Sequence, residues 1–337
     1  MNHPQTVLLL PGQGAQRERM AAGLYGVHKE FTAAMTDFFD ALGPEGDRLA
    51  AQWLRPAPNP RLGEAHIAQP LLLGVGFALG RAVSASHAPP GLLLGHSVGE
   101  LAAACLAGVF RQADLGRLAA ARTRVLGDDG RGGMLAVATP LSGLPLDMYP
   151  VVVAAVNGPR QTVLAGPLDA LEHVDGLLRA AGHTTLRLRS DRAFHSPSMA
   201  GAARRLAHEV AALRPAPARS PLISTRTALP LLDRQAVDAT FWADQLALPV
   251  RYWPALSSLL DASGTDPGLL LLDADPSRSL SAPARRHPAV RAGTTRVVPL
   301  LAPPRSTGGP ADAEIFEQAV ESIEEAITRN TRAVSRR

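Results

Sequence analysis

The chain has 337 residues, 46% of them hydrophobic and 19% charged, a composition typical of a globular protein that builds its own core. Its longest apolar stretches, around Pro70–Leu79 and Leu269–Leu272, fall short of the roughly 18 uninterrupted apolar residues that a membrane helix needs, so no membrane span is predicted. Residues Met1–Gln5 carry no cluster of positive charge, and we expect no signal peptide and a cytoplasmic location. The single cysteine, Cys105, excludes an internal disulfide and a zinc site built from several cysteines.

The formal net charge of +4 comes almost entirely from arginines spread along the chain, and Lys29 is the sole lysine. No run of basic residues is interleaved with aromatic side chains in the way that stacking on nucleic-acid bases requires. Nucleic acid is therefore not a predicted partner. The arginine-rich surface could instead bind an acidic protein.

Apolar runs of strand length alternate with helical patterns in the first third of the chain, which is typical of β-α-β units on a parallel sheet. The pattern predicts a strand at Val7–Leu10, a helix at Gln69–Ser84, a strand at Gly91–Leu94, and helices at Gly99–Ala107 and Arg111–Leu126.

The character of the sequence changes after the polar, glycine-rich segment Asp128–Gly133. Short strands are predicted from there to His195, with one helix among them, which fits a small antiparallel α+β unit of the ferredoxin-like kind. The predicted elements are strands at Met134–Ala138, Val151–Val156, Thr162–Ala165 and Thr184–Leu188 and a helix at Leu168–Ala181.

Beyond Pro197 the predicted elements return to the first unit: helices at Met199–Leu213 and Val237–Leu246, and strands at Leu222–Thr225, Leu269–Leu272 and Arg296–Leu301. A Pro/Gly linker at Ala302–Asp312, an amphipathic helix at Ala313–Thr328 and a disordered basic tail at Arg329–Arg337 complete the chain.

The predicted fold class is α/β. A large α/β-hydrolase-like domain with a parallel sheet comprises residues 1–127 and 197–305, and a small ferredoxin-like α+β subdomain comprises residues 128–196. Residues 306–337 form the C-terminal linker, helix and tail.

The most informative stretch is Gly95–His96–Ser97–Val98–Gly99, a G-x-S-x-G between a predicted buried strand and an alanine-rich helix. At such a nucleophile elbow the serine lies in a tight strand-to-helix turn, and its Oγ points above the carboxyl ends of the strands. The Val98 N–H, at the helix amino terminus, could then donate to an oxyanion. The alternative is a tight turn in which Ser97 only caps the helix.

A serine nucleophile needs a histidine to accept its proton. His195 follows the small unit, where a loop would face the elbow across a cleft, whereas His96 is adjacent to Ser97 at a sharp turn and points elsewhere. We expect His195 to be the base, although a helix-entry role without chemistry is the alternative for this residue.

Together these motifs resemble the malonyl-CoA:acyl-carrier-protein transacylases and the acyltransferase domains of polyketide synthases, over about residues 5–300. The opening loop Pro11–Gln16, the elbow Gly95–Glu100 and the histidine motif Ala193–Ser196 match the family. Arg122 stands 25 residues after Ser97, as the family's substrate arginine does, and Gly132–Gly133–Met134 follows where expected.

The resemblance implies Ser97 as the acylated nucleophile and His195 as general base and acid. It implies an oxyanion hole formed by Gln13 and the Val98 N–H, and a main-chain carbonyl from the Pro249–Val250–Arg251 region that orients the imidazole. Arg122 would bind a malonyl carboxylate, for which a planar guanidinium is the suitable partner. Further residues expected to contact substrate are His96, Asn157, Phe194 and Arg251.

Phe194 resembles the malonyl pattern of the histidine motif, which favours malonyl over methylmalonyl.

No bound cofactor or metal is expected, because the substrates are a CoA thioester and a phosphopantetheinylated acyl carrier protein. With no ketosynthase or carrier segment in the sequence, we expect an acidic carrier protein on a separate chain, a polyketide-type assembly line served in trans, and a monomer. A carrier-to-carrier transferase or a hydrolase for a larger acyl or aminoacyl group is the alternative enzyme, and a non-catalytic carrier-docking module is the alternative outside enzymology.

Overall fold

The computed structural model describes residues 6–56, 58–86, 89–127, 129–144, 148–263, 268–303 and 310–334. The strands are β1 (Thr6–Leu10), β2 (Leu92–Gly95), β3 (Gly133–Val137), β4 (Val152–Gly158), β5 (Gln161–Gly166), β6 (Thr185–Arg187), β7 (Leu222–Ser224), β8 (Leu229–Pro230), β9 (Leu269–Asp273) and β10 (Thr295–Pro299). The α-helices are α1 (Lys29–Leu42), α2 (Pro44–Leu54), α3 (Ala65–Ser86), α4 (Val98–Leu106), α5 (Leu115–Arg124), α6 (Leu168–Ala180), α7 (Ala200–Ala212), α8 (Asp233–Ala236), α9 (Ala239–Ala243), α10 (Tyr252–Ser263), α11 (Pro288–Arg291) and α12 (Pro310–Val334).

The larger sheet has the order β10-β9-β1-β2-β7-β8 and is parallel except for its edge strand β8. Strands from the first and the last third of the chain thus lie side by side. Its central strands carry continuous apolar runs because helices cover both faces, and Val7, Leu8, Leu9 and Leu10 are all fully buried. The adjacent strands β1 and β2 are in register, so the loops at their carboxyl ends lie next to each other.

Helix α3 packs against α1, α4 and α5 in the larger core cluster. It is long and apolar enough to cross a bilayer, yet 89% of its most apolar window is buried inside the protein, as expected of a core helix. The helix starts at Ala65, four residues before the predicted Gln69. Pro70 does not mark its first turn: it only removes the bond to the His66 carbonyl, one turn earlier.

Helices α1 and α2 occupy a stretch for which no element is predicted. Helix α1 buries Phe31, Met35 and Phe38 at helical spacing, and Trp53 of α2 packs near the same core. The helical spacing of the apolar side chains in α1 is the signal that identifies this helix.

The smaller sheet is antiparallel with the order β4-β5-β3-β6, and helix α6 packs on it. Leu135, Leu164 and Leu171 are fully buried between sheet and helix and form a separate core cluster. Arg192 links the two chain segments that connect the smaller sheet to the larger one. It lies on the second segment, and its guanidinium donates to the carbonyls of Gly127 (2.8 Å) and Asp129 (2.6 Å) on the first.

Two predictions for the C-terminal part are wrong. Residues 329–334, predicted to be a disordered tail, continue helix α12, while Ser335–Arg337 lie outside the described residues. The predicted helix Val237–Leu246 is instead the shorter helix α9 followed by a 3-10 turn at Asp244–Leu246, because Asp238 caps the start of α9 by accepting from the Thr240 N–H at 2.8 Å. The separate short helix α8 lies before the predicted range. Of the predicted linker Ala302–Asp312, residues 304–309 lie outside the described residues, and helix α12 begins at Pro310.

Candidate active site

The turn from β2 to α4 brings the Ser97 backbone into an uncommon conformation, with φ 52° and ψ −120°. Strand and helix approach each other so closely that side chains at the flanking glycines would not fit. A Cβ at Gly95 would lie 2.4 Å from the Glu100 nitrogen, and one at Gly99 would lie 2.3 Å from the Leu10 carbonyl oxygen. The serine is thereby held at the carboxyl end of the sheet, in a cleft between the two sheets.

Ser97 Oγ lies 2.9 Å from His195 Nε2. His195 lies just beyond the smaller sheet, also with a positive φ of 61°, and its N–H donates to the Leu246 carbonyl at 2.7 Å. Both side chains are buried, at 8% and 6% exposure. Two residues that are 98 positions apart are thus brought within hydrogen-bond distance on two backbone segments that are each fixed by packing.

The second ring nitrogen of His195, Nδ1, lies 3.1 Å from the Leu248 carbonyl oxygen. A carbonyl only accepts, so Nδ1 carries the proton and Nε2 is left as the acceptor for the Ser97 hydroxyl. The expectation that the orienting carbonyl comes from the Pro249–Val250–Arg251 region is wrong by one residue, because the chain turns toward the imidazole at Leu248, before Pro249.

Electrostatics keep this imidazole neutral. Burial is the main cause that lowers the pKa of His195 to about 3, and the nearby His96 and Arg122 contribute in the same direction. Bonding to main-chain carbonyls acts in the opposite direction but is the smaller effect. At neutral pH His195 is therefore an uncharged base with its lone pair directed at a hydroxyl.

His96 takes no part in the pair of Ser97 and His195. Its Nε2 is 2.8 Å from Asn157 Oδ1 on β4, so the ring spans the cleft floor from the elbow to the smaller sheet. Burial lowers the pKa of His96, which keeps it uncharged. Both His96 and Asn157 line the cleft.

Two groups beside Ser97 can donate hydrogen bonds. Gln13, from the loop after β1, lines the cleft. Val98 begins helix α4, and within the described part of the chain its N–H has no acceptor. The N–H therefore lies at the amino terminus of a helix, where negative charge is stabilised.

Arg122 lies behind the cleft wall and does not itself line the cleft. It is 2% exposed, its Nε donates to Gln69 Oε1 at 2.8 Å, and Gln69 does line the cleft. Within the described ranges Nη1 is buried without a hydrogen-bond partner. Burial lowers the pKa of the guanidinium to about 10, so it is still charged at neutral pH.

The cleft has a volume of about 1240 Å³ and is bordered by both sheets. Phe194 lines it next to His195 and is 4% exposed, with its ring packed in the larger core cluster. Arg187 and Arg189 stand exposed on its smaller-sheet side.

Arg251 is not brought to the cleft. Its side chain is exposed, and its backbone N–H donates to the Thr225 carbonyl at 2.6 Å. The segment that carries Arg251 is therefore fixed through its main chain, and the Arg251 side chain is not among the groups that line the cleft.

Sequence reasoning did not single out Gln69 or Leu248. Gln69 could have been noticed as a polar residue on an otherwise apolar helix just before Pro70. Leu248 gives no signal, because any residue can supply a carbonyl. No group of three or more His, Cys, Asp or Glu side chains suited to a metal ion occurs in the described ranges.

The sequence matches the family described as acyl transferase domain over residues 7–267. Polyketide synthase GfsB of Streptomyces halstedii is 35% identical over an alignment of 266 residues that covers 76% of this chain and 5% of that protein. The chain therefore spans a small part of the length of this relative.

Solved structures with the same fold include the acyltransferase domain from the second module of the salinomycin polyketide synthase, with a TM-score of 0.81 and 30% identity over 94% of this chain and 72% of that one. A malonyl-transacylase in complex with a type II polyketide synthase acyl-carrier protein has a TM-score of 0.77 and 23% identity over 94% of this chain and 99% of that one. At this second level of identity only the fold is comparable. The predicted α/β fold class is confirmed.

Proposed function

Because this chain belongs to the acyl transferase domain family, we propose that it transfers malonyl from CoA to the phosphopantetheine thiol of an acyl carrier protein, through an acyl-enzyme at Ser97. The acyltransferase class predicted from the sequence is confirmed by the family match. The observation that supports an acyl-enzyme at Ser97 is a series of hydrogen bonds in an open cleft. Ser97 Oγ is hydrogen-bonded to His195 Nε2, and His195 Nδ1 is hydrogen-bonded to the Leu248 carbonyl.

In the first half-reaction His195 Nε2 accepts the Ser97 hydroxyl proton as Oγ attacks the thioester carbonyl carbon. The C–S bond breaks, and the sulfur leaves with the proton returned by His195 as the thiol of CoA. A new Oγ–acyl ester remains on Ser97. The neutral imidazole with its proton on Nδ1 is the form that this step needs.

In the second half-reaction the carrier's thiol gives its proton to the same Nε2, and its sulfur attacks the ester carbonyl. The C–O bond to Ser97 breaks, and Oγ takes the proton back. One histidine therefore serves both directions, and no aspartate is needed because the Leu248 carbonyl fixes the ring.

Each attack places negative charge on the carbonyl oxygen. We propose that the Val98 N–H stabilises this oxyanion and that Gln13 helps to form the oxyanion site beside it. Support comes from the free Val98 N–H at the start of α4 and from the position of Gln13 in the cleft, next to the elbow.

The acyl group is proposed to be malonyl because of Arg122. A charged guanidinium that is 2% exposed, with an Nη1 that has no hydrogen-bond partner among the described residues, is costly to bury without an anionic partner. A malonyl carboxylate supplies that partner, whereas an acetyl or fatty acyl end does not. Phe194, which lines the cleft next to His195, matches the malonyl pattern of the histidine motif, which disfavours a branched α-carbon.

The acceptor is proposed to be an acidic carrier protein that is a separate polypeptide chain and belongs to a polyketide-type pathway. The exposed Arg187 and Arg189 at the cleft give an acidic partner a complementary surface. The malonyl-transacylase that shares this fold was solved with such a carrier protein.

The test is incubation with labelled malonyl-CoA followed by intact-mass analysis. We expect one malonyl group per chain in the wild type and in Ser190→Ala, a control that changes another cleft serine, and none in Ser97→Ala. Label retained by Ser97→Ala would contradict the nucleophile. Rapid loss of label to water in the presence of a carrier would favour a hydrolase, and absence of label from every acyl-CoA would favour a docking module.

A further inference from the structure

The turn between β7 and β8 (Thr225–Ala228) contacts both the elbow and the segment that orients His195. On the elbow side, Thr225 Oγ1 lies 3.0 Å from the Gly95 carbonyl oxygen. On the other side, the turn binds the segment Phe241–Arg251, which carries two carbonyls that contact the histidine. One short turn therefore lies between the backbone that presents the serine and the backbone that orients its partner.

Arg226 is the side chain by which this turn binds the segment. Its Nη1 donates to the Phe241 carbonyl at 2.8 Å, and its Nη2 lies 3.5 Å from Asp244 Oδ2. The guanidinium carbon also lies 4.5 Å from the centroid of the Phe241 ring, which is a cation–π contact. Thr225 binds the far end of the segment, because its carbonyl accepts from the Arg251 N–H at 2.6 Å.

Both carbonyls that hold His195 lie between these two attachment points. The Leu246 carbonyl accepts from the His195 main-chain N–H at 2.7 Å, and the Leu248 carbonyl oxygen lies 3.1 Å from His195 Nδ1. The Asp244 carbonyl accepts in turn from the Leu248 N–H at 2.9 Å. The residue whose carbonyl orients the imidazole is thus bonded directly to the residue with which Arg226 pairs.

Packing of the Leu248 side chain does not explain the direction of its carbonyl. Leu246 is fully buried, whereas Leu248 is 38% exposed. The direction of the Leu248 carbonyl therefore depends on main-chain bonds and on what holds Asp244. Apart from His195, Arg226 has the only side chain among the described residues that donates to a carbonyl of residues 241–248.

We propose that Arg226 is a positioning residue that keeps the Leu248 carbonyl directed at His195 Nδ1. The proposal rests on the proposed function, in which His195 is the base. The carbonyl holds the imidazole proton on Nδ1, which leaves Nε2 to accept the proton of Ser97. When the carbonyl moves away, the ring can carry its proton on Nε2 instead. In that form it faces the Ser97 hydroxyl with a donor and cannot accept its proton.

Substitutions of Arg226 separate positioning from charge. Arg226→Met has a side chain of similar length without a donor, so the bond to the Phe241 carbonyl and the ion pair with Asp244 are both lost. Arg226→Lys keeps the positive charge and one of the two contacts. Arg226→Gln, polar but too short to reach the Phe241 carbonyl, replaces Arg226→Met if that variant does not fold. Arg234→Met, at an exposed position on α8, is the matched control.

Single-turnover acylation by malonyl-CoA, followed by rapid quenching and intact mass, gives two separate quantities. The amplitude reports the fraction of active protein, and the rate constant reports the geometry of the reacting groups. We expect Arg226→Met to keep the wild-type amplitude and to lose about 30-fold in rate constant at saturating substrate, with little change in the half-saturating concentration. Arg226→Lys should stay within about threefold of the wild type, and Arg234→Met should match it. A lower amplitude with an unchanged rate constant would show a purely structural role and overturn the proposal.

The tautomer of His195 is the second readout. Long-range ¹H–¹⁵N correlation spectra of protein with ¹⁵N-labelled histidine distinguish a proton on Nδ1 from one on Nε2, and a His195→Gln sample identifies the signals. We expect only the Nδ1-protonated form in the wild type and in Arg226→Lys, and a population with the proton on Nε2 in Arg226→Met. A slowed Arg226→Met that keeps only the Nδ1-protonated form would overturn the proposal. A wild type that malonyl-CoA does not acylate would instead overturn the proposed function.

Discussion

Arg122 is the fully buried member of a helix whose other arginines face solvent. Arg117 and Arg124 have side chains 71% and 63% exposed and bind Asp114 and Glu209, whereas Arg122 is 2% exposed. Since a buried cation needs a compensating partner, this difference between the arginines supports the proposal that Arg122 binds the acyl carboxylate.

Replacing Arg122 should therefore change substrate preference. Loss of one partner of a desolvated charge pair costs about 2–5 kcal/mol, so Arg122→Ala should lower kcat/KM for malonyl-CoA by roughly 30-fold to several thousand-fold. Acetyl-CoA, which lacks the carboxylate, should lose less. The measurement is the malonyl-to-acetyl ratio of kcat/KM at a fixed concentration of carrier acceptor.

Arg124→Ala, two residues further along α5 and exposed, is the matched control and should leave this ratio unchanged. A general folding defect in Arg122→Ala would depress both substrates equally. An unchanged ratio would mean that Arg122 does not bind the acyl end, and would favour transfer of a larger uncharged group between carriers.

At this scale, the meeting of Ser97 and His195 could be predicted because each residue lies in a motif at the junction of two predicted elements. The Leu248 carbonyl and the hydrogen bonds of Gln69 could not. A main-chain acceptor has no residue type, and the bonding of Gln69 depends on which atoms face Arg122 and Gln13. Arg251 was expected from resemblance alone, and local packing directs its side chain to solvent.

At the scale of elements, the elbow helix α4 is joined to the end of β7 through a buried carboxyl. Glu100 Oε2 lies 2.6 Å from Thr225 Oγ1, which also lies 3.0 Å from the Gly95 carbonyl oxygen. The Thr225 hydroxyl has one proton for these two oxygens, so a protonated Glu100 satisfies both contacts by donating to Thr225. Burial accordingly raises the pKa of Glu100 to about 7.

Because the pKa of Glu100 is higher in the folded than in the unfolded protein, the free energy of unfolding falls as the pH rises. The unfolded carboxyl has a pKa of 4.5, so between that value and about 7 the folded state holds a proton that the unfolded state has released. The stabilisation is present at low pH and is lost as the pH rises, by roughly 3 kcal/mol at most. Glu100→Gln, a neutral side chain of the same shape, should match the wild type near pH 5 and exceed its free energy of unfolding near pH 8.5.

The measurement is urea unfolding of the wild type and of Glu100→Gln near pH 5 and near pH 8.5. Subtracting the free energies of unfolding of the two proteins at each pH cancels the contribution of all other carboxyls. Glu172→Gln, at an exposed position on α6, should show no pH-dependent difference from the wild type. A Glu100→Gln effect of equal size at both pH values would show that Glu100 is ionised in the folded protein.

The elements that could be predicted are those with one dominant pattern. The continuous apolar runs of β1, β2 and β9 identify strands covered on both faces. The predicted start of α3 at Gln69 is wrong, because the helix begins at Ala65 and continues through Pro70. The extension of α12 beyond Thr328 was missed because its basic composition suggested disorder, while helix contacts earlier in α12, including buried Phe316 and Ile323, fix it to the body of the protein.

At the scale of the whole molecule, the cleft lies where the carboxyl ends of adjacent parallel strands face the smaller sheet. This position could be predicted in outline because ligands of open α/β sheets bind at the carboxyl edge. Its width could not, since it depends on how the smaller sheet is held. Arg192 holds that junction with bonds to main-chain carbonyls, and such bonds leave no pattern in the sequence of their acceptors.

The distribution of charge over the molecule predicts that transfer to an acidic carrier depends on salt more strongly than transfer to a small uncharged thiol. The chain has a formal net charge of +4, and Arg187 and Arg189 are exposed on the smaller-sheet side of the cleft. Transfer to an acidic carrier should therefore weaken with ionic strength, because screening acts within about 10 Å at 0.1 M salt. Transfer to free pantetheine, which has no charge, should respond little.

The combined variant Arg187→Glu and Arg189→Glu should raise KM for the carrier by roughly tenfold and leave KM for pantetheine near the wild-type value. Arg291→Glu, an exposed change outside the cleft, is the control. Equal effects of the charge reversal on both acceptors would mean that these arginines shape the cleft and do not bind the carrier surface.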